Sequence, residues 1–227
     1  MKERFIQTVA VAALLLGAAP GAQAVATLGY SVDGAAPIFC ADGDACDLNA
    51  AAGVVTWSFA EGDFTVNVTT GITKPVFPSG DPLMDLNSVN IDTVAGGGAH
   101  TLVLAFSDVD FDIDGAFSAL FGGTLSGEGA TIDSGVFADA GNALFGGSEV
   151  CGIGPFGAGA FSGSCSGGDA PDGLYSVTAV LFLTTNGLAN FSGDFEVSVV
   201  PEPGTLALLG VGLGLFGFAM RRRQQVS

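Results

Sequence analysis

Positive charge is scarce in this sequence, which sets 6 Lys and Arg against 23 Asp and Glu in 227 residues. Lys2, Arg4, Arg221, Arg222 and Arg223 lie near the two ends, which leaves Lys74 as the single base between them. With Glu3 and Glu202 set aside, residues 25–199 hold one base and 21 acids, a formal charge near −20. Such a surface excludes nucleic-acid binding, which needs clustered Lys and Arg against phosphate. It also disfavours docking on anionic lipid, and it favours solubility and affinity for cations. Histidine is as scarce, with His100 alone. Any Ser-His-Asp or Cys-His site would have to use it, and at the start of an apolar run His100 reads as structural. No G-x-S-x-G elbow, P-loop or H-E-x-x-H sequence occurs. Long helical periodicity is also missing between the ends: no capped segment with a 3.6-residue period extends for about ten residues.

The two ends carry the longest apolar runs. Met1-Lys2-Glu3-Arg4 is a short basic region, and Phe5–Ala19 is apolar except for Gln7 and Thr8. Pro20-Gly21 ends that run, and Ala22-Gln23-Ala24 supplies the small-x-small pattern that signal peptidase accepts. Residues 1–24 therefore read as a secretory signal peptide removed after Ala24. The far end runs Val200-Pro201-Glu202-Pro203, then an apolar stretch over 204–220 whose only polar residue is Thr205, then Arg221-Arg222-Arg223 and a short tail, 224–227. That stretch is just long enough to cross a bilayer as a helix. The arginines would stay on the cytoplasmic side, with the bulk of the chain outside. Two prolines around Glu202 keep the junction extended and open to a protease.

These C-terminal residues resemble the PEP-CTERM sorting domain, with the motif, the Gly-rich apolar helix and the Arg run in the family's order. The resemblance covers about residues 200–223. It implies export in a Gram-negative bacterium that makes extracellular polysaccharide. It further implies transient anchoring in the inner membrane through 204–220, cleavage near Pro203 by an exosortase-type membrane protease, and delivery to the outer surface or the extracellular matrix. Gly210 and Gly214 form a small-xxx-small pair in this stretch, which reads as family composition.

Residues 25–199 are long enough for one domain with a sizeable core. Val55, Trp57 and Phe59 alternate with Thr56 and Ser58, and Phe64, Val66 and Val68 alternate with Thr65, Asn67 and Thr69. Glu61-Gly62-Asp63 between them predicts a hairpin turn. Leu102–Phe106 is continuously apolar and predicts a strand buried on both faces. Leu174–Thr185 and Phe195–Val199 predict further strands. Residues 115–165 are ambiguous: Gly122-Gly123 and Gly146-Gly147 suggest turns between strands, and a glycine-rich loop covering one end is the alternative. The expected fold class is all-β, an antiparallel β-sandwich or jelly roll, flanked by the N-terminal signal helix and the C-terminal membrane helix.

Four cysteines in an exported chain predict disulfides. Three connectivities are open, and proximity favours Cys40–Cys46 with Cys151–Cys165. Asp108, Asp110, Asp112 and Asp114, followed by Gly115, copy the opening of an EF-hand loop. Its twelfth position falls on Phe121, where a bidentate Glu is required, so an EF-hand is excluded. The expected arrangement is a strand with the aspartates toward water and Val109, Phe111 and Ile113 toward the core. A row of aspartates on one strand face would still be a candidate Ca²⁺ site. Asp42, Asp44 and Asp47 form a second cluster that reads as a solvated turn. Asn67-Val68-Thr69 and Asn190-Phe191-Ser192 match the glycosylation sequon by chance. The resemblance of the tail, together with the charge and the missing catalytic motifs, implies a non-catalytic envelope protein associated with extracellular polysaccharide. A secreted polysaccharide-modifying enzyme with a carboxylate pair is the alternative.

Overall fold

The computed structural model describes residues 25–77, 83–93 and 98–200. The segments 1–24, with Ala22 and Ala24, and 201–227, with Pro201, Glu202, Pro203, the apolar stretch and the three arginines, lie outside the described residues. The described chain forms twelve strands: β1 Thr27–Val32, β2 Ile38–Ala41, β3 Val54–Glu61, β4 Phe64–Ile72, β5 Met84–Thr93, β6 Ala99–Phe111, β7 Ala116–Ser126, β8 Thr131–Asp139, β9 Ser148–Phe156, β10 Gly159–Asp169, β11 Tyr175–Asn186 and β12 Asn190–Val200. Among the described residues no helix is long and apolar enough to cross a membrane.

Two six-stranded sheets result, β2-β1-β6-β11-β8-β9 and β10-β7-β12-β5-β4-β3, with every pairing antiparallel. The period-2 patterning explains how they pack. Phe191, Phe195, Val197 and Val199 of β12 are buried, while Asn190, Ser192 and Asp194 are exposed. Phe121 sits among Phe161, Phe191 and Phe195 at ring-centroid distances of 5.1, 6.0 and 5.5 Å. Each fully buried Phe contributes about 1.5–3 kcal/mol, so this cluster is a main source of cohesion between the sheets. Cys151–Cys165 ties β9 to β10, joining the two sheets along one edge, and Cys40–Cys46 closes the loop after β2.

Three expectations change. Residues 115–165 form strands, β7 to β10, as the first of the two readings has it, but the first of its two Gly-Gly turns is not a turn. Gly122-Gly123 lies inside β7, where a Cβ at Gly123 would stand 2.4 Å from the Ser192 carbonyl and 3.1 Å from the Phe191 ring. Gly123 faces Gly193 across the ladder, so the pair leaves room for that ring, and no turn is involved. On β6, Leu102, Leu104 and Phe106 are fully buried. Val103 and Ala105 are only half-buried, lining a small apolar recess with Gly29, Phe39 and Phe145 on the outer face.

The third change concerns the aspartates. Opposite Ser176 the β6 ladder shifts register, so one extra residue is accommodated at Val109-Asp110, with Asp110 at φ 61°. This bulge breaks the alternation. Asp108 points inward, 1% exposed, and pairs with Lys74 Nζ at 2.7 Å. The Thr73 hydroxyl lies 3.1 Å from the same carboxylate oxygen, and Lys74 Nζ sits 4.0 Å from the Phe111 ring centroid. The only base of the domain is thus spent on its one fully buried acid among the described residues. Removing one partner of a buried pair strands the other charge, at about 3–5 kcal/mol. Lys74→Met is expected to lower unfolding stability by about 3 kcal/mol, measured by urea denaturation. A loss of about 1 kcal/mol or less, the value of an exposed pair, would show that Asp108 is solvated.

Candidate functional site

Among the described residues, the outer face of the second sheet presents polar side chains on five of its six strands. Register places Ser58, Asn67, Asn90, Ser192 and Thr124 opposite one another in a single rung across β3, β4, β5, β12 and β7. All five point away from the core because they alternate with Trp57, Val66, Val89, Phe191 and Leu125, which are buried. Both sequon asparagines, Asn67 and Asn190, also project from this face. Ser58 Oγ donates to Asn67 Oδ1 at 2.7 Å.

Beside this rung lies a cleft of about 490 Å³. Its walls are Asp85 and Asn87 of β5, Asp194 and Glu196 of β12, Leu120 and Gly122 of β7, and Ser162 and Gly163 of β10, with Phe121 beneath. Asp85 and Glu196 are direct cross-strand partners. A second bulge shapes the cleft: Asn87 and Ser88 together oppose Asp194, Ser88 takes φ 56°, and its amide donates to Asp194 Oδ1 at 2.6 Å. Bulges re-aim side chains in this way beside binding sites. Burial pushes the Asp85 carboxyl up to about 6, a hydrogen bond from Asn87 opposes the rise, and the negative charges of Glu196 and Asp194 add to it. A carboxylate in a polar recess with a hydrogen-bonding amide and hydroxyl beside it can accept from sugar hydroxyls. Together with a second carboxylate it can also trade a proton.

The residues singled out in the sequence fall elsewhere. Asp108 is taken by Lys74, and Asp110 accepts from Asn142 Nδ2 while its own amide donates to Asn142 Oδ1 at 2.8 Å. Asp112 and Asp114 lie beyond the end of β6. The expected row of four is therefore not assembled. Among the described residues no group of three or more His, Cys, Asp or Glu side chains is placed to hold a metal ion. Asp42, Asp44 and Asp47 accept from backbone amides, Gly53 N to Asp42, Ala41 N to Asp44, and Gly43, Asn49 and Thr56 N to Asp47, at 2.6–3.2 Å. They build the turn after β2. His100 reaches Asp33 through Nδ1 at 2.9 Å and Asp63 through Nε2 at 3.0 Å. It joins the β1–β2 turn of one sheet to the β3–β4 turn of the other, and its hydrogen bond holds the Asp33 carboxyl below the usual range. The cleft residues carried no sequence signal, since β5 and β12 are about a hundred residues apart and only their pairing brings Asp85 to Glu196.

An acidic, disulfide-bearing β-sandwich with an open polar face is the class that the described residues define. Residues 199–223 match the PEP-CTERM protein-sorting motif, so the chain is an exported, envelope-sorted protein bearing the tail that exosortase, a membrane protein, processes. No curated relative matches the chain. Among solved structures, TmCBM61 in complex with beta-1,4-galactotriose is similar at 13% identity and TM-score 0.38, over 65% of this chain and 88% of that one. The enzymatically active domain of bacteriophage CBA120 tailspike protein 4 shares 10% identity at TM-score 0.38, over 65% and 19%. Arthrobacter globiformis T6 isomalto-dextranase complexed with panose shares 12% identity at TM-score 0.26, over 63% and 23%. At these scores the likenesses carry no argument about function.

Asp85 generates a pH-dependent prediction. Its folded value lies above the ordinary 3.8, so the native state binds this proton more tightly than the unfolded chain. Its contribution to stability is then full below about pH 4 and is lost as pH rises through about 6. Asp85→Asn is expected to be more stable than the parent at about pH 8 and no more stable at about pH 4, read from urea midpoints. Equal midpoints at both pH values would show the carboxyl to be freely solvated.

Proposed function

We propose that this protein is a non-catalytic envelope component that associates with extracellular polysaccharide through the outer face of its second sheet. The observation that carries the reading is the polar outer face: five strands present a continuous rung of hydroxyl and amide groups, and the Asp85–Asp194–Glu196 cleft opens beside it. Sugar recognition uses such convergent polar groups. The charge of the domain restricts the partner to a neutral or cation-bridged chain, because an anionic polymer would be repelled. The sorting tail adds the address, a Gram-negative cell envelope reached through transient anchoring by 204–220. The matrix outside the cell is where such a platform meets polysaccharide.

Affinity electrophoresis against the host's own extracellular polysaccharide tests the reading. The protein is expected to be retarded, and Asn87→Ala with Asp194→Ala to migrate several-fold more freely. Unretarded migration of the parent protein would sink it. One observation favours a second reading, a carboxylate-pair glycosidase: Asp85, raised to about 6, faces Glu196 across one ladder. Two facing carboxyl groups, one of them holding its proton to higher pH than usual, are the machinery that glycoside cleavage uses. Release of reducing ends from the same polysaccharide, abolished in Glu196→Gln, would establish the enzyme and displace the non-catalytic reading. Mass spectrometry of the native protein is expected to place the C-terminus near Pro203. Mature material that retains Arg221, Arg222 and Arg223 would show a plain membrane anchor.

A further inference from the structure

Five exposed aliphatic side chains gather at one end of the sandwich, whereas Ile38 of β2 and Leu120 of β7, also exposed, lie on the sheets themselves. Leu48 is 71% exposed, Leu174 and Val200 54%, Val76 45% and Leu144 38%. They come from five separate places: the loops after β2, β4 and β8, the loop before β11, and the last residue of β12. Hydrogen bonds stitch these segments together. Thr73 N donates to Gly53 O at 2.9 Å, Ala170 N to Gly115 O at 2.8 Å, and Ser176 Oγ to Ala143 O at 2.6 Å. Gly115 lies so close to Val200 that a Cβ would stand 2.4 Å from the Val200 carbonyl. At the opposite end Leu188, between β11 and β12, is 64% exposed.

Val200 is also where the chain leaves the domain. Pro201, Glu202 and Pro203 alone separate it from the apolar stretch 204–220. Three extended residues span at most about 10 Å, so whatever holds 204–220 also holds this end close by. We propose that, before processing, this end of the sandwich rests on the bilayer surface, with Leu48, Val76, Leu144 and Leu174 seated among zwitterionic headgroups. The proposal rests on reading 204–220 as membrane-crossing. Tethering supplies a high local concentration, so a few shallow aliphatic contacts suffice. Asp112 and Asp114 on the same end exclude an anionic surface. Cleavage near Pro203 removes the tether and leaves contacts too weak to retain the acidic domain.

The test uses the full chain in phosphatidylcholine vesicles. All four native cysteines are in disulfides, so one introduced thiol can carry a polarity-sensitive fluorophore. Labels at Leu174→Cys and Val76→Cys are expected to emit blue-shifted relative to Leu188→Cys, a site 64% exposed at the opposite end. Leu48→Asp with Leu144→Asp is expected to return them toward the aqueous value, and anionic lipid to weaken the shift. A label at Leu213→Cys reports insertion of the tail. Aqueous emission at positions 174 and 76 with position 213 in the bilayer overturns the proposal. Aqueous emission at position 213 overturns it as well, through the reading beneath it. Neither result bears on polysaccharide binding, which electrophoresis measures separately.

Discussion

The fold answers one constraint: a domain with about twenty uncompensated negative charges must keep them apart and outside while closing a core. Alternation does most of this, because strands such as β4, β5 and β12 that turn Phe, Val, Ile or Leu inward turn Asp, Asn, Ser or Thr outward. Where the pattern sends an acid inward, at Asp108, the single Lys of the domain is placed against it. Where two acids approach from opposite sheets, at Asp33 and Asp63, the single His stands between them. Lys74 and His100 therefore act as ties, one toward each end of the sandwich. Neither lines the cleft, where burial first, and then the charges of Glu196 and Asp194, push the Asp85 carboxyl up to about 6.

Legibility followed local chemistry. The β3–β4 hairpin was readable because Gly62 sits at positive φ between two clean alternations. The strands at 174–185 and 195–199 were readable from their apolar runs, and the pairing of Cys40 with Cys46 and of Cys151 with Cys165 is the one that proximity favoured. β10 was not readable. As an edge strand with little buried surface it is written in Gly and Ser, Gly159–Asp169, with no apolar period to detect. The aspartates of β6 misled because Asp108 continues the inward phase of Leu102, Leu104 and Phe106, while the bulge at Val109-Asp110 resets the phase so that Phe111 also faces the core, and a bulge leaves no mark in composition.

The cleft was illegible for a different reason. Asp85 and Glu196 meet through strand register, a long-range property, and no spacing along the chain encodes it. Its shape depends on Ser88 adopting a left-handed backbone held by the Asp194 carboxylate. The sorting tail lies at the other extreme. It is linear, so its residues could be read directly, and they match a sorting motif as a continuous block.

The place of β12 in the sheet has a mechanical consequence. The strand that continues into the tail is not an edge strand. It lies between β7 and β5 and is hydrogen-bonded on both sides along most of Asn190–Val200. A pull transmitted from the tail is therefore carried in shear by two ladders at once, and the strand cannot peel away one bond at a time. Any load on Val200 thus enters the domain through a strand hydrogen-bonded on both sides rather than through an edge.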